Sequence, residues 1–284
     1  MKIKYILWSL LLWINVEPHT QAQIKAPSAE TLKTFAASKT YIVLEDVMFS
    51  DFNANIEEAA QRHWRITPFE IISLSQFEKQ CRTPQASFLM VVMGEYTGGF
   101  AKNSTFNMLT LMMGHKSGDV NKMPEILSIP LSYYVPDGDE EDYGYKLVGI
   151  LEGLQYAVKN ILSQKMTITN FKDVFNNYSA EVKTKELWVT KNDLASSVNT
   201  TEKIKSIYPY KVIITSEQAI QKAIDEKQNN VVFLHKVGNS GVPNATCLKL
   251  IINCADGKPL YGDYHSISVK EPNGLLPKDF KALQ

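Results

Sequence analysis

The sequence predicts an α/β protein made of two tandem β-α-β-α-β units with mixed sheets, each ending in an antiparallel hairpin and joined by a helical connector. Three observations carry this. Short β-branched or aromatic runs alternate with amphipathic stretches, as strands and helices do when they follow each other along a chain. The order of these elements is written twice: Pro68 to Gln76 is echoed by Pro209 to Glu217, and Asn103 by Asn244, at one separation of 141 positions. A stretch with a broad apolar stripe, Leu147 to Leu162, lies between the copies. Composition agrees, because 44% hydrophobic and 21% charged residues supply a core and leave no room for a collagen-like or wholly disordered chain.

Residues 1–22 read as a secretory signal peptide. Lys2 and Lys4 give a basic start, Ile6 to Val16 an apolar run, and Thr20-Gln21-Ala22 a small or polar exit. The run is short for a bilayer span, and no Cys follows it to accept a lipid, the first being Cys81. No later window offers the roughly 18–20 uninterrupted apolar residues of a membrane helix. The expected product is therefore exported, periplasmic or extracellular, soluble and not a lipoprotein. Residues 23–135 then make the first unit, 136–185 an acidic loop and helical connector, and 186–284 the second unit.

Within the units, Tyr41 to Leu44 and Leu187 to Val189 suit strands buried on both faces. Ile56, Ala59, Ala60, His63 and Trp64 recur at helical spacing, and Leu194, Val198, Thr201, Ile204 and Tyr208 do so in the second copy. Second strands follow at Phe69 to Ile72 and Tyr210 to Ile214, each introduced by a proline that stops the preceding helix. Ser75 with Glu78, and Thr215 with Gln218, read as capping boxes for the next helices. Continuously apolar third strands, Phe88 to Met93 and Val231 to Leu234, are central. The hairpins are Phe106 to Met113 with Ile126 to Tyr134, and Cys247 to Cys254 with Tyr264 to Val269; Ser117-Gly118 and Asp256-Gly257 supply the turns. In the connector, Pro136 to Asp142 is polar, Leu147 to Leu162 a long helix, and Asn170 caps a second helix carrying Phe171, Val174, Phe175 and Tyr178. The three cysteines are expected as buried thiols, since an odd count leaves at least one unpaired and Cys247 and Cys254 fall on opposite strand faces.

Tyr210 to Ser216, Val231 to Gly238 and Leu248 to Tyr261, with Asp256-Gly257-Lys258-Pro259-Leu260 at the turn, resemble exported α/β domains of the TolB amino-terminal and CsgG-like families. The first copy departs from that pattern, with Gly114-His115-Lys116-Ser117-Gly118 at its turn and Pro124 after it, and the acylated cysteine of the lipoprotein members is missing. The resemblance implies an envelope accessory or assembly role and transfers no catalytic residue.

Chemistry-bearing motifs are sparse. Lys plus Arg and Asp plus Glu each number 30, so no basic excess points to nucleic acid. The histidines show neither HExxH nor zinc spacing; His63 shares an apolar stripe with Trp64 and reads as structural, while His115 and His265 fall beside hairpin turns without a third ligand. Asp137, Asp139, Glu140, Glu141 and Asp142 read as a solvated acidic turn, because the glycine and distant Glu of a calcium loop are lacking. Gly238-Asn239-Ser240-Gly241 fails as a nucleophile elbow at Val242, and Gly94 to Gly99 lacks the following helix of a phosphate cradle. Sequons stand at Asn103, Asn177, Asn199 and Asn244. No catalytic residue, metal or cofactor is predicted.

Two functions follow as expectations. The first is an exported, non-catalytic cell-envelope accessory or interaction protein that binds another envelope protein. The alternative is a periplasmic small-ligand receptor closing over a cleft between the units. Its site would be the loops at the carboxyl ends of the parallel strands: Glu45, Asp46, Ser73, Gly94, Glu95, Ser216, Gly238 and Asn239. An exported hydrolase would require several of Asp46, Glu95, His115, His235 and His265 to converge in one pocket.

Overall fold

The computed structural model describes residues 21–22, 26–47, 50–96, 104–135, 142–165, 171–242 and 244–284. Residues 1–20 of the anticipated signal peptide, the acids Asp137, Asp139, Glu140 and Glu141, the cap Asn170 and the sequon Asn103 lie outside the described residues.

Local chemistry starts each element. Gln21–Ala22 (β1) pairs in parallel with Glu95–Tyr96. Ser28 caps α1 (Ala29–Ala36), which buries Phe35 and leads into β2 (Thr40–Val43). Ser50 caps α2 (Asp51–His63), whose Ile56, Ala59 and Ala60 form the buried stripe read from the sequence. Next come β3 (Phe69–Ile72), α3 (Leu74–Gln80) and β4 (Ser87–Tyr96). The first hairpin is β5 (Phe106–Met113) with β6 (Glu125–Tyr133). The connector helix α4 spans Leu147–Leu162, and α5 (Phe171–Phe175) and α6 (Ser179–Val182) follow.

The second unit repeats the plan with β7 (Glu186–Val189), α7 (Thr201–Lys205), β8 (Val212–Ile214), α8 (Glu217–Asp225), β9 (Val231–Val237), β10 (Thr246–Asn253) and β11 (Pro259–Ser266); α9 (Pro277–Ala282) follows it. The first sheet runs β3-β2-β4-β5-β6, with β1 beside β4, and the second runs β8-β7-β9-β10-β11. The orders correspond strand for strand. In both sheets the first three strands are parallel and the hairpin is antiparallel. Register corresponds too: Ile42 faces Ile71 on one side and Leu89 on the other, as Leu187 faces Val212 and Val232. A copied module explains this agreement.

The elements stack in layers. One apolar cluster contains Phe77 of α3 against Val43 and Phe88 of the first sheet. The largest joins Ile42 and Leu109 of the first sheet, Ile56 of α2, Leu151 and Val158 of α4, Ile220 of α8, and Phe233 and Leu250 of the second sheet. A third packs Leu187, Val232 and Ile251 against Val182, Ile204 and Phe280 of α6, α7 and α9. The middle cluster thus makes a continuous core from both units and the connector. Two glycines set its spacing. A Cβ at Gly149 would stand 2.5 Å from the Phe233 ring, and Gly257, at φ +69° in the second hairpin turn, lies so close to α4 that a Cβ would stand 2.4 Å from the Glu152 carbonyl carbon.

Several expectations are corrected. The helix anticipated from Leu194 to Tyr208 is broken into 3₁₀ turns at Lys191–Asp193 and Ser196–Val198 before the short α7. There Asp193 Oδ2 accepts from both Thr190 N and Oγ1 at 2.9 Å and ties the chain into a tight turn. The final strand runs from Pro259 to Ser266 rather than Tyr264 to Val269, and Val269 is exposed. Its proline is tolerated at the edge of the sheet. Caps shift as well: Ser73 with Gln76 forms the capping box of α3, and Ser216 caps α8. Gly94 and Glu95 lie inside β4 rather than in a loop after it. All three cysteines are free and buried, as expected. No helix among the described residues is long and apolar enough to cross a membrane.

Candidate functional site

The residues expected to line a cleft at the strand ends are engaged locally. Glu45 is bound up in the entry to α2: its N–H donates to Asn53 Oδ1 at 2.8 Å and its Oε2 accepts from Ser50 Oγ at 2.6 Å. Asp46 is exposed. Ser73 Oγ accepts from Gln76 N at 3.3 Å and Ser216 Oγ from Ala219 N at 3.2 Å, the ordinary work of helix caps. Gly94 pairs with Phe106 across the sheet, and Glu95 Oε1 accepts from Thr105 Oγ1 at 3.1 Å. The Gly238 carbonyl accepts from Asn273 Nδ2 at 2.8 Å, and Asn239 Oδ1 from Gly241 N at 2.7 Å. These bonds all run within one unit.

What the fold brings together instead lies where α2, α4 and α8 meet. His63, the last residue of α2, has its Nδ1 2.9 Å from Glu152 Oε1 on α4, and Lys227 just beyond α8 donates to the same oxygen. Both His63 and Glu152 side chains are nearly buried, at 13% and 11% exposure, and Glu152 Oε2 is buried without a hydrogen-bond partner. Gln155, one turn further along α4, accepts from Arg65 N at 2.7 Å and donates to the His63 carbonyl at 3.0 Å. One carboxylate therefore joins the first unit, the connector and the second unit. Beside it opens a groove with Asn55, Glu58, Arg62 and His63 of α2 on one wall, Gln221 and Asp225 of α8 on the other, and Ala59, Leu147 and Val148 among its apolar lining. The apolar-stripe reading of His63 missed this site. Its partner is 89 positions away, and a lone Glu in a helix carries no signal of it.

A second polar junction lies deeper. Lys146, leading into α4, has its Nζ 3.8 Å from Asp193 Oδ1, both side chains almost fully buried. Near it, His235 Nε2 donates to the Pro130 carbonyl at 2.7 Å, linking β9 to β6. Burial above all, and then the Lys146 charge, push the His235 imidazole down to about 3, so it stays neutral.

The third cluster is internal to the second unit. Lys249 Nζ lies 2.6 Å from Asp279 Oδ1, and neither side chain is exposed at all. Asp279 also accepts from Tyr261 OH at 3.1 Å and from Leu276 N at 2.8 Å, which starts α9. Asp263 lies 2.6 Å from Lys172; burial acts to raise its carboxyl, but the Lys172 bond leads the opposing interactions that hold it below the usual range. Burial first, with Asp279 and Asp263 next, pushes the Tyr261 phenol up, and burial lowers His265, whose Nε2 meets the Pro272 carbonyl at 3.0 Å. Such a set fastens α9 to the sheet.

The five groups considered for a hydrolase are dispersed. His235 is at the seam, His265 is buried in β11 rather than beside a turn, and His115 contacts Ser117 in its own loop. No group of three or more metal-ligating side chains occurs among the described residues. No model of a known protein family matches the chain, no curated protein matches it, and no solved structure matches it.

Proposed function

We propose that the chain is an exported, non-catalytic accessory protein of the cell envelope that binds another macromolecule through a preformed surface. The observation that carries this reading is the continuous middle core. A receptor whose units swing shut over a cleft needs a seam that opens cheaply. Here opening would expose Phe233, Leu250, Leu151 and Val158 to water, at roughly 1.5–3 kcal/mol for each large apolar side chain. It would also separate the Glu152 and Lys146 junctions. A body so fastened suits docking without closure.

Export is supported by the basic, apolar and small-residue order of residues 1–22, and an envelope role by the resemblance in element order to TolB and CsgG-like domains. The balanced charge supports a protein rather than a nucleic-acid partner. Val47, beyond the end of β2, and Met93, inside β4 towards its carboxyl end, are 62% and 60% exposed and are the natural sites for probes.

The test is photocrosslinking in the producing cell, with a probe at Val47 or Met93 and a control probe at Glu226, together with amino-terminal sequencing of the recovered chain. One discrete adduct from the first two positions, on a chain beginning near Gln23, is expected. A chain that retains Met1 inside the cell, or adducts no different from the control, would overturn the proposal.

A further inference from the structure

We propose that the open edge of β4 takes up an extended segment of a partner protein as an added parallel strand, in the seat that β1 holds while residues 1–22 are attached. This deepens the accessory-protein reading above and rests on it. Strand β4 is ten residues long, yet β2 pairs only with Ser87, Phe88 and Leu89, and β1 only with Glu95 and Tyr96. Both run parallel to β4, whose opposite side is taken by antiparallel β5 as far as Gly94. Among the described residues, no strand covers Met90 to Gly94 on the side of β2. Backbone direction follows from Ser87, whose N–H donates to the Lys39 carbonyl on this side. Strand groups alternate, so the N–H and C=O of Val91, Met93 and Glu95 point the same way.

Once residues 1–22 leave, Glu95 loses its partner as well, and an unpaired edge of about 20 Å runs from Val91 to Tyr96. Such an edge is a template for another strand unless charge, proline or a covering element blunts it. Here the residue at its middle is Met93, 60% exposed, with Val47 beyond the end of β2 at 62%. The matching occupant is an extended polypeptide that offers alternate N–H and C=O groups to β4 and sets an apolar side chain beside Met93. Its direction is the one β1 already takes.

The processed chain beginning at Gln23 is compared with the 1–284 chain by amide exchange. Both are then titrated with a peptide of residues 16–22 carrying Pro18→Val, following backbone amide shifts. In the register that sets Gln21 opposite Glu95, Pro18 has no N–H for the Val91 carbonyl, and the valine supplies one. Loss of residues 1–22 is expected to speed exchange at Glu95 at least tenfold. The peptide is expected to give saturable shifts from Val91 to Tyr96 in the processed chain and none in the 1–284 chain. Met93→Pro, which removes an edge N–H that β5 does not use, and N-methylation of the peptide at Thr20 are each expected to abolish binding. Met93→Ala, which keeps that N–H, is expected to weaken it less than tenfold. In the producing cell, Met93→Pro is expected to remove the adduct from the Val47 probe. An adduct that survives Met93→Pro overturns strand addition and leaves the accessory role standing, whereas absence of any adduct from the parent chain overturns both. Absence of saturable peptide binding, or binding that tolerates Met93→Pro or the N-methyl group, would also overturn the proposal. So would a Glu95 amide equally protected after processing, whether by the new amino terminus or by a second copy.

Discussion

Replacing Lys249 by Met tests what the buried ion pair of the second unit contributes. The substitution retains an unbranched apolar stem in β10 and removes only the cation. Asp279 keeps the Tyr261 hydroxyl at 3.1 Å and the Leu276 amide at 2.8 Å, but its charge then sits unexposed without the ammonium that stood 2.6 Å away. Stranding one member of such a pair costs about 3–5 kcal/mol. At ~2–4 °C per kcal/mol for a chain of this size, Tm should fall by roughly 6–20 °C. Adding Asp279→Asn removes the stranded charge while leaving an oxygen to accept from Leu276, so the double variant should lie within about 1–2 kcal/mol of the parent. Urea unfolding followed by tryptophan fluorescence gives all four corners of the cycle, and the coupling should exceed about 2 kcal/mol. A single substitution that costs under about 1 kcal/mol, or two that simply add, would refute the reasoning.

Three further outcomes are expected. His235 is held at about 3 when folded and returns to about 6.5 when unfolded, so between those values the unfolded chain binds the extra proton. Stability should fall with falling pH across that window, by up to ~1.4 kcal/mol per unit from this group. His235→Gln, which keeps a donor for the Pro130 carbonyl, should flatten that part of a urea-midpoint profile from pH 6.5 to 4; an unchanged slope would count against it. Burial pushes the thiols of Cys247 and Cys254 up to about 11 and about 12, so at pH 8 both should resist a disulfide reagent until the chain unfolds, and labelling of either within minutes in the folded state would contradict this. Gly257→Ala should destabilise by roughly 2–4 kcal/mol, because φ is +69° and the new methyl meets α4 backbone, whereas Gly241→Ala, which meets only the Asn239 side chain, should cost less than about 1 kcal/mol.

The elements that depend on one face of local pattern were legible in the sequence. The stripe from Leu147 to Leu162 gives α4 its observed bounds, and the largely apolar run of β5, interrupted by Asn107 and Thr110, matches a strand whose every residue is buried. Correspondence of the two copies was visible because buried strands keep their residue types. Less was legible where side chains redirect the backbone: the Thr190–Asp193 turn breaks a helical periodicity that Val198 and Ile204 would otherwise continue. The site was hardest to see. Serines and asparagines after strands satisfy helix caps as well as ligands, and Ser73 and Ser216 do the former. His63, Glu152 and Lys227 share one oxygen only because three distant segments pack together, which no local period encodes.

The duplicated modules meet through non-equivalent sides. The first offers the side carrying α2, while the second offers the side carrying α8, the counterpart of α3. A joint between unlike surfaces of like subunits leaves another unlike pair open at the ends, and without a closing rotation it propagates into a filament. Helix α9, clamped by Lys249 over the far side of the second sheet beside α6 and α7, shields the unlike surface that the joint leaves outside on that unit.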